Sequence, residues 1–166
     1  MATMDNVKEA FAGESQANRK YLAFAKQAEA DGFPQIARLF RAAAEAETVH
    51  AHAHLRVMGG VKSTAVNLQT AIDGEAAEFT QMYPKFVIEA EAEGNKAALL
   101  AFKHAMAVEK IHHNLYSAAL KALQGGKDLP ATPMYVCPVC GYTVAGGAPD
   151  KCPICGAPQK AFMEVK

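Results

Sequence analysis

Glu47-Thr48-Val49-His50 recurs 62 residues later as Glu109-Lys110-Ile111-His112. Residues three apart on an α-helix point the same way, so each copy sets one carboxylate and one imidazole on a single face. One such pair arises readily by chance on a solvated helix face. Two pairs in matching places, each preceded by a helix with an early glutamate, Glu14 and Glu75, do not. Four carboxylates turned into a helical core repel one another and lose hydration, at several kcal/mol each. Two divalent cations remove that cost, and oxygen and imidazole donors suit iron or manganese. The pattern therefore predicts a two-metal site with Glu14, Glu47, His50, Glu75, Glu109 and His112 as ligands. Glu78, one turn after Glu75, is a seventh candidate.

The spacing of apolar residues predicts a helix over residues 4–31, with Asp5 as its cap, and a second over 34–58. Asp31-Gly32-Phe33-Pro34 is a stop followed by a start. A third helix is expected over about 67–93 and a fourth up to Gln124, closed by Gly125-Gly126. Two hairpins of long helices joined by one longer connection make a ferritin-like four-helix bundle. The hairpins read as an internal repeat: at an offset of 62, Tyr21 meets Tyr83, Ala28 meets Ala90, Gly32 meets Gly94 and Phe40 meets Phe102. Glu14 and Glu75 are offset by 61, so one extra residue lies between Glu75 and Tyr83. A one-residue insertion in an intact helix is most simply absorbed as a π-bulge. A widened turn between Glu75 and Pro84 is expected. It puts Tyr83 where Tyr21 stands relative to Glu14.

All four cysteines fall near the C-terminus, as Cys137-x-x-Cys140, eleven residues, then Cys152-x-x-Cys155. This is the spacing of a tetrahedral four-thiolate site. A module so small cannot fold on apolar burial alone and needs a metal staple. Spacing does not separate a structural zinc from a redox-active iron. The chain thus divides into a helical domain, 1–126, a linker, 127–134, and a small metal-bound β module, 135–166. Net charge is zero, which points away from nucleic acid and anionic membranes. The N-terminus lacks the basic and apolar regions of a secretion signal, and a reducing cytoplasm suits the thiols. His52, His54, His104 and His113 are read as surface residues or as neighbours of the ligands.

These residues resemble the rubrerythrin family from one end to the other. The helical part is similar through Glu14, Glu47-x-x-His50, Glu75-x-x-Glu78, Met82-Tyr83-Pro84 and Glu109-x-x-His112. The tail is similar through Cys137-Pro-Val-Cys140-Gly-Tyr142 and Cys152-Pro-Ile-Cys155-Gly, a rubredoxin-like pattern. The resemblance implies two irons held by the six bundle ligands and one iron held by Cys137, Cys140, Cys152 and Cys155. It implies that Glu78 exchanges with His50 as the pair changes oxidation state, and that Tyr21 and Tyr83 hydrogen-bond ligand carboxylates. The implied activity is reduction of hydrogen peroxide to water, with electrons from a reduced nicotinamide through a reductase or rubredoxin. A head-to-tail homodimer is implied too, and the connection at 59–66 has the character of a hinge for helix exchange. The competing expectation is a ferroxidase or iron-handling protein with a structural zinc tail.

Overall fold

The computed structural model describes residues 2–166. Four long helical runs are followed by a three-stranded sheet. The chain forms two compact units, one reaching to Lys62 and the other starting at Ser63.

The first unit is an antiparallel pair, α1 (Ala2–Ala30) and α2 (Pro34–Val57). Helix α1 begins earlier than expected, so Asp5 lies in the first turn and does not cap it. A carboxylate there still meets the positive end of the helix dipole. The turn after α1 closes through Phe33 N–H to Ala28 O at 2.8 Å. Ala37, Ala44 and Ala51 of α2 are buried at seven-residue spacing, and Ala25 and Ala28 of α1 are buried as well. Such small residues let two helix backbones approach closely, which fixes what the polar groups beside them can reach. Asn18 uses that closeness: its Nδ2 donates to Ala44 O at 2.7 Å and to Thr48 Oγ1 at 2.8 Å.

The second unit opens with α3 (Thr64–Ala77), capped by Ser63, whose Oγ accepts from Val66 N–H. A π-helical turn, Glu78–Met82, follows, and the run continues as α4 (Tyr83–Ala92). The Tyr83 N–H bonds to Glu78 O, five residues back, so the widened turn falls where the 61-residue offset places it. Pro84, which has no N–H to give, sits just beyond it in the first turn of α4. Helix α5 (Lys96–Gln124), capped by Asn95, runs back against α3 and α4.

The repeat is visible in the aromatic packing. Tyr21, Phe24 and Phe40 have ring centroids 6.3, 6.2 and 5.6 Å apart. Tyr83, Phe86 and Phe102 show 6.2, 6.2 and 5.5 Å for the same pairs. The inserted residue is thus absorbed before Tyr83, and register is restored after it.

Beyond α5, β1 (Met134–Val136) pairs antiparallel with both β2 (Thr143–Ala145) and β3 (Met163–Val165), in the order β2-β1-β3. Tyr142 and Phe162 meet edge-on at 6.2 Å. Gly141 comes so near α5 that a Cβ on it would lie 3.6 Å from Val108 Cγ1. Val108 itself is only 2% exposed. The module therefore leans on α5 one turn before His112.

Candidate metal centres

In the first unit Glu14, Glu47 and His50 bring one ligand atom each within 4.8 Å of one another. His50 Nδ1 is 3.0 Å from Glu47 Oε2 and 3.9 Å from Glu14 Oε1. The second unit repeats this with Glu75, Glu109 and His112. Its His112 Nδ1 is 2.8 Å from Glu109 Oε2 and 3.8 Å from Glu75 Oε1. The geometries match because the π turn shifts Glu75 into the place that Glu14 holds on a regular helix.

The two triads differ in their histidines. The His50 side chain is 56% exposed, and its Nε2 has no hydrogen-bond partner among the described residues of its unit. His112 is 27% exposed, and its Nε2 lies 3.0 Å from Thr143 Oγ1 of the β module.

Electrostatics tests whether these residues suit a cation. The Glu75 carboxyl is pushed up to about 7, first by burial, then by its hydrogen bond to Glu109 and by the charges of Glu109 and Glu78. Glu78, at the start of the π turn, is also raised, by burial and by Glu109, with His112 opposing. The Tyr83 hydroxyl is raised by burial and by the charges of Glu78, Glu109 and Glu75. Carboxylates are held closer here than they would be by choice. A divalent ion between the carboxylate oxygens and the imidazole relieves that repulsion and fits the donor set.

Between pH 4.5 and 7 the folded, metal-free protein keeps a proton on Glu75 that the unfolded chain has released. Its stabilising contribution is complete below 4.5 and is lost as pH rises through 7. The melting temperature of metal-free protein should therefore fall by several degrees from pH 5 to 8. The Glu75→Gln variant should lose that slope. Scanning calorimetry across this range checks both, and an equal slope in the variant would count against the coupling.

Tyr83 feels the carboxylates of its unit, yet neither Tyr21 nor Tyr83 donates a hydrogen bond to a carboxylate among the described residues of its own unit. Glu78 lies close enough to Glu109 for its charge to matter but outside the tight triad.

The four cysteines form the third cluster, with all Sγ atoms within 4.8 Å of one another. The Cys137–Cys155 and Cys140–Cys152 sulfurs are each 3.5 Å apart, far beyond a disulfide. A tetrahedral ion with metal–sulfur bonds of about 2.3 Å sets sulfurs about 3.8 Å apart, close to this spacing. Each Cys-x-x-Cys-Gly loop closes the same way: Gly141 N–H bonds Cys137 O and Gly156 N–H bonds Cys152 O, both at 2.9 Å. Gly141 and Gly156 have φ of +87° and +77°, which a side chain would strain. These loops turn backbone N–H groups toward sulfur. Burial raises the Cys152 thiol, but the N–H groups of Cys155 and Ile154 and the Cys140 thiol outweigh it and bring it down to about 7. Burial and the neighbouring sulfurs push the Cys140 and Cys155 thiols up instead, so a bound cation is what lets all four shed their protons.

Paired long helices, each pair with a Glu-Glu-His cluster, and a four-thiolate β module after them define a ferritin-like protein with a rubredoxin-like tail. The rubrerythrin family pattern matches residues 5–120, and that of the rubrerythrin rubredoxin-like domain matches residues 135–163. The chain is 37% identical to Rubrerythrin-2 of Clostridium acetobutylicum, over 97% of this chain and 95% of that one. It is 36% identical to nigerythrin of Nitratidesulfovibrio vulgaris, over 97% and 85%. The solved structure of nigerythrin in its fully reduced, all-ferrous state is similar with a TM-score of 0.58, at 36% identity, covering 98% of this chain and 86% of that one. The chain belongs to the rubrerythrin family. No helix of the described residues is long and apolar enough to cross a membrane.

Thr143 and Asn18 were not legible as neighbours of the site. Their partners lie 31, 26 and 30 residues away and no local periodicity connects them.

Proposed function

We propose that this chain is a non-haem di-iron peroxidase that reduces hydrogen peroxide to water. In this reading Glu14, Glu47, His50, Glu75, Glu109 and His112 hold the iron pair, and Cys137, Cys140, Cys152 and Cys155 hold a single iron. Iron held by these residues would supply the two electrons that reduction of the O–O bond requires. The observation that carries the reading is the seat of the Cys140-Gly141 loop on Val108, one turn from His112. A purely structural staple has no need to stand beside a carboxylate cluster, whereas an electron donor does.

The residues around the second triad fit the proton demand. Breaking peroxide into two waters consumes two protons. Burial and Glu109 push the Glu78 carboxyl upward, with His112 opposing, which makes it the group we assign to hold and deliver one. The raised Tyr83 hydroxyl stays protonated and can donate a hydrogen bond. Glu78 is also the carboxylate proposed to exchange with His50, the histidine whose Nε2 is untethered. Electrons would arrive from a rubredoxin or a reductase using reduced nicotinamide. A homodimer is the proposed assembly. Leu39, Val49, Ile88 and Leu100 are each more than half exposed, apolar surface of the kind a second subunit buries.

Anaerobic stopped-flow absorbance on reduced, iron-loaded protein tests the reading. Peroxide should oxidise the pair within the first phase, the thiolate-bound iron should follow, and oxygen should act much more slowly. Faster reaction with oxygen, or a tail that stays reduced, would favour a ferroxidase.

A further inference from the structure

The two Glu-Glu-His triads are close copies, so a feature present in only one asks for a reason. That feature is the Thr143 hydroxyl at His112. Thr143 Oγ1 is also 3.0 Å from Gly141 O. A carbonyl oxygen cannot donate, so the single hydroxyl proton goes to Gly141. Thr143 must then accept at its other side, and the proton in that bond belongs to His112 Nε2. A neutral imidazole with its proton on Nε2 has its lone pair on Nδ1. Nδ1 is the atom that faces Glu109 and Glu75. Leu68, Leu115 and Met134 line the cavity of about 310 Å³ beside the bond, so the surroundings offer few competing acceptors.

We propose that Thr143 is a positioning residue for His112. Its hydroxyl fixes the Nε2–H tautomer, aims Nδ1 at the carboxylates, and joins the imidazole to the backbone carbonyl that follows Cys140. His50 has no such tether in its own unit. The tether makes one histidine of the pair fixed and leaves the other free to turn. This inference rests on the di-metal reading: Nδ1 stands 2.8 Å from Glu109 Oε2, so its lone pair needs a cation between it and the carboxylate, while the Nε2 proton follows from the Thr143 and Gly141 contacts.

Thr143→Val keeps the side-chain shape and removes the hydroxyl, and Thr143→Ser restores it. The measurement is long-range ¹H–¹⁵N NMR of ¹⁵N-histidine-labelled, full-length protein loaded with zinc, which is diamagnetic. Wild type and Thr143→Ser should show His112 as a single Nε2–H form with a slowly exchanging proton. Thr143→Val should lose that slow exchange and bind zinc at the carboxylate–histidine site roughly tenfold to a hundredfold more weakly, the range for partners of metal-bound histidines. In iron-loaded protein, the Thr143→Val tail should keep its visible thiolate bands, which shows that the module is folded. Its re-reduction of the oxidised pair should be slower than in wild type. A wild-type His112 signature and zinc affinity in Thr143→Val would overturn the proposal. A fixed tautomer that depends on Thr143, in a protein without peroxide activity, would uphold it and sink the peroxidase reading instead.

Discussion

Replacing Cys152 by serine is expected to lower donor-driven peroxide turnover by about a hundredfold or more, beyond the cost of losing a mere outer partner of a metal ligand. Cys152 is 3% exposed, and N–H groups of Cys155 and Ile154 converge on its sulfur. A serine hydroxyl is neutral at any ordinary pH and does not replace a thiolate toward iron. The module has three short strands and one edge-on aromatic pair to hold it, so weakening its metal loosens the whole fold. The carboxylate ligands are on the helices and are not touched. Pre-reduced variant protein should therefore oxidise its iron pair once with peroxide, at the wild-type rate, and then stop. A ferroxidase would show nearly unchanged turnover in the same variant. Single-turnover and steady-state kinetics on one preparation separate the two outcomes.

The parts of this site that were legible in the sequence are those fixed by a helix's own geometry. Glu47 with His50 and Glu109 with His112 need only the three-residue spacing, which any regular helix preserves. The π turn at Glu78–Met82 was legible for a related reason. An insertion that leaves Tyr83, Phe86 and Phe102 packed like Tyr21, Phe24 and Phe40 has to be absorbed upstream of them. Helix ends were less legible: Ser63 and Asn95 act as caps, but Asp5 does not, because nothing in Ala2-Thr3-Met4 stops the helix from extending. The Thr143 bridge was hidden altogether. It depends on how a β module rests on α5, a tertiary fact set by the Gly141 contact with Val108. The Asn18 link between α1 and α2 has the same character, since it exists only because the alanine seam brings the backbones together.

Glu109→Gln should move stability and function in opposite directions. Glu109 is the carboxylate on which the second triad converges: it contacts His112 Nδ1 at 2.8 Å, hydrogen-bonds Glu75, and its charge raises Glu75, Glu78 and Tyr83 together. The amide keeps the volume and a hydrogen bond to Glu75 but carries no charge. In metal-free protein at pH 8 the variant should melt several degrees above wild type, because the repulsion that grows as Glu75 ionises is gone. Its melting temperature should also vary less with pH. With iron the order should reverse. A neutral amide oxygen is a much poorer ligand than a carboxylate, so iron affinity should fall by about a hundredfold and peroxide turnover with it. Anaerobic iron titration beside scanning calorimetry reads both effects in one protein. If the metal-free variant instead melts below wild type at pH 8, Glu109 serves as a structural partner of His112 and its charge is already well accommodated. If it melts higher, the folded chain carries repulsion that only a cation relieves. Groups held together at a cost to stability mark a functional site, because binding the ion both cancels the cost and prepares the chemistry.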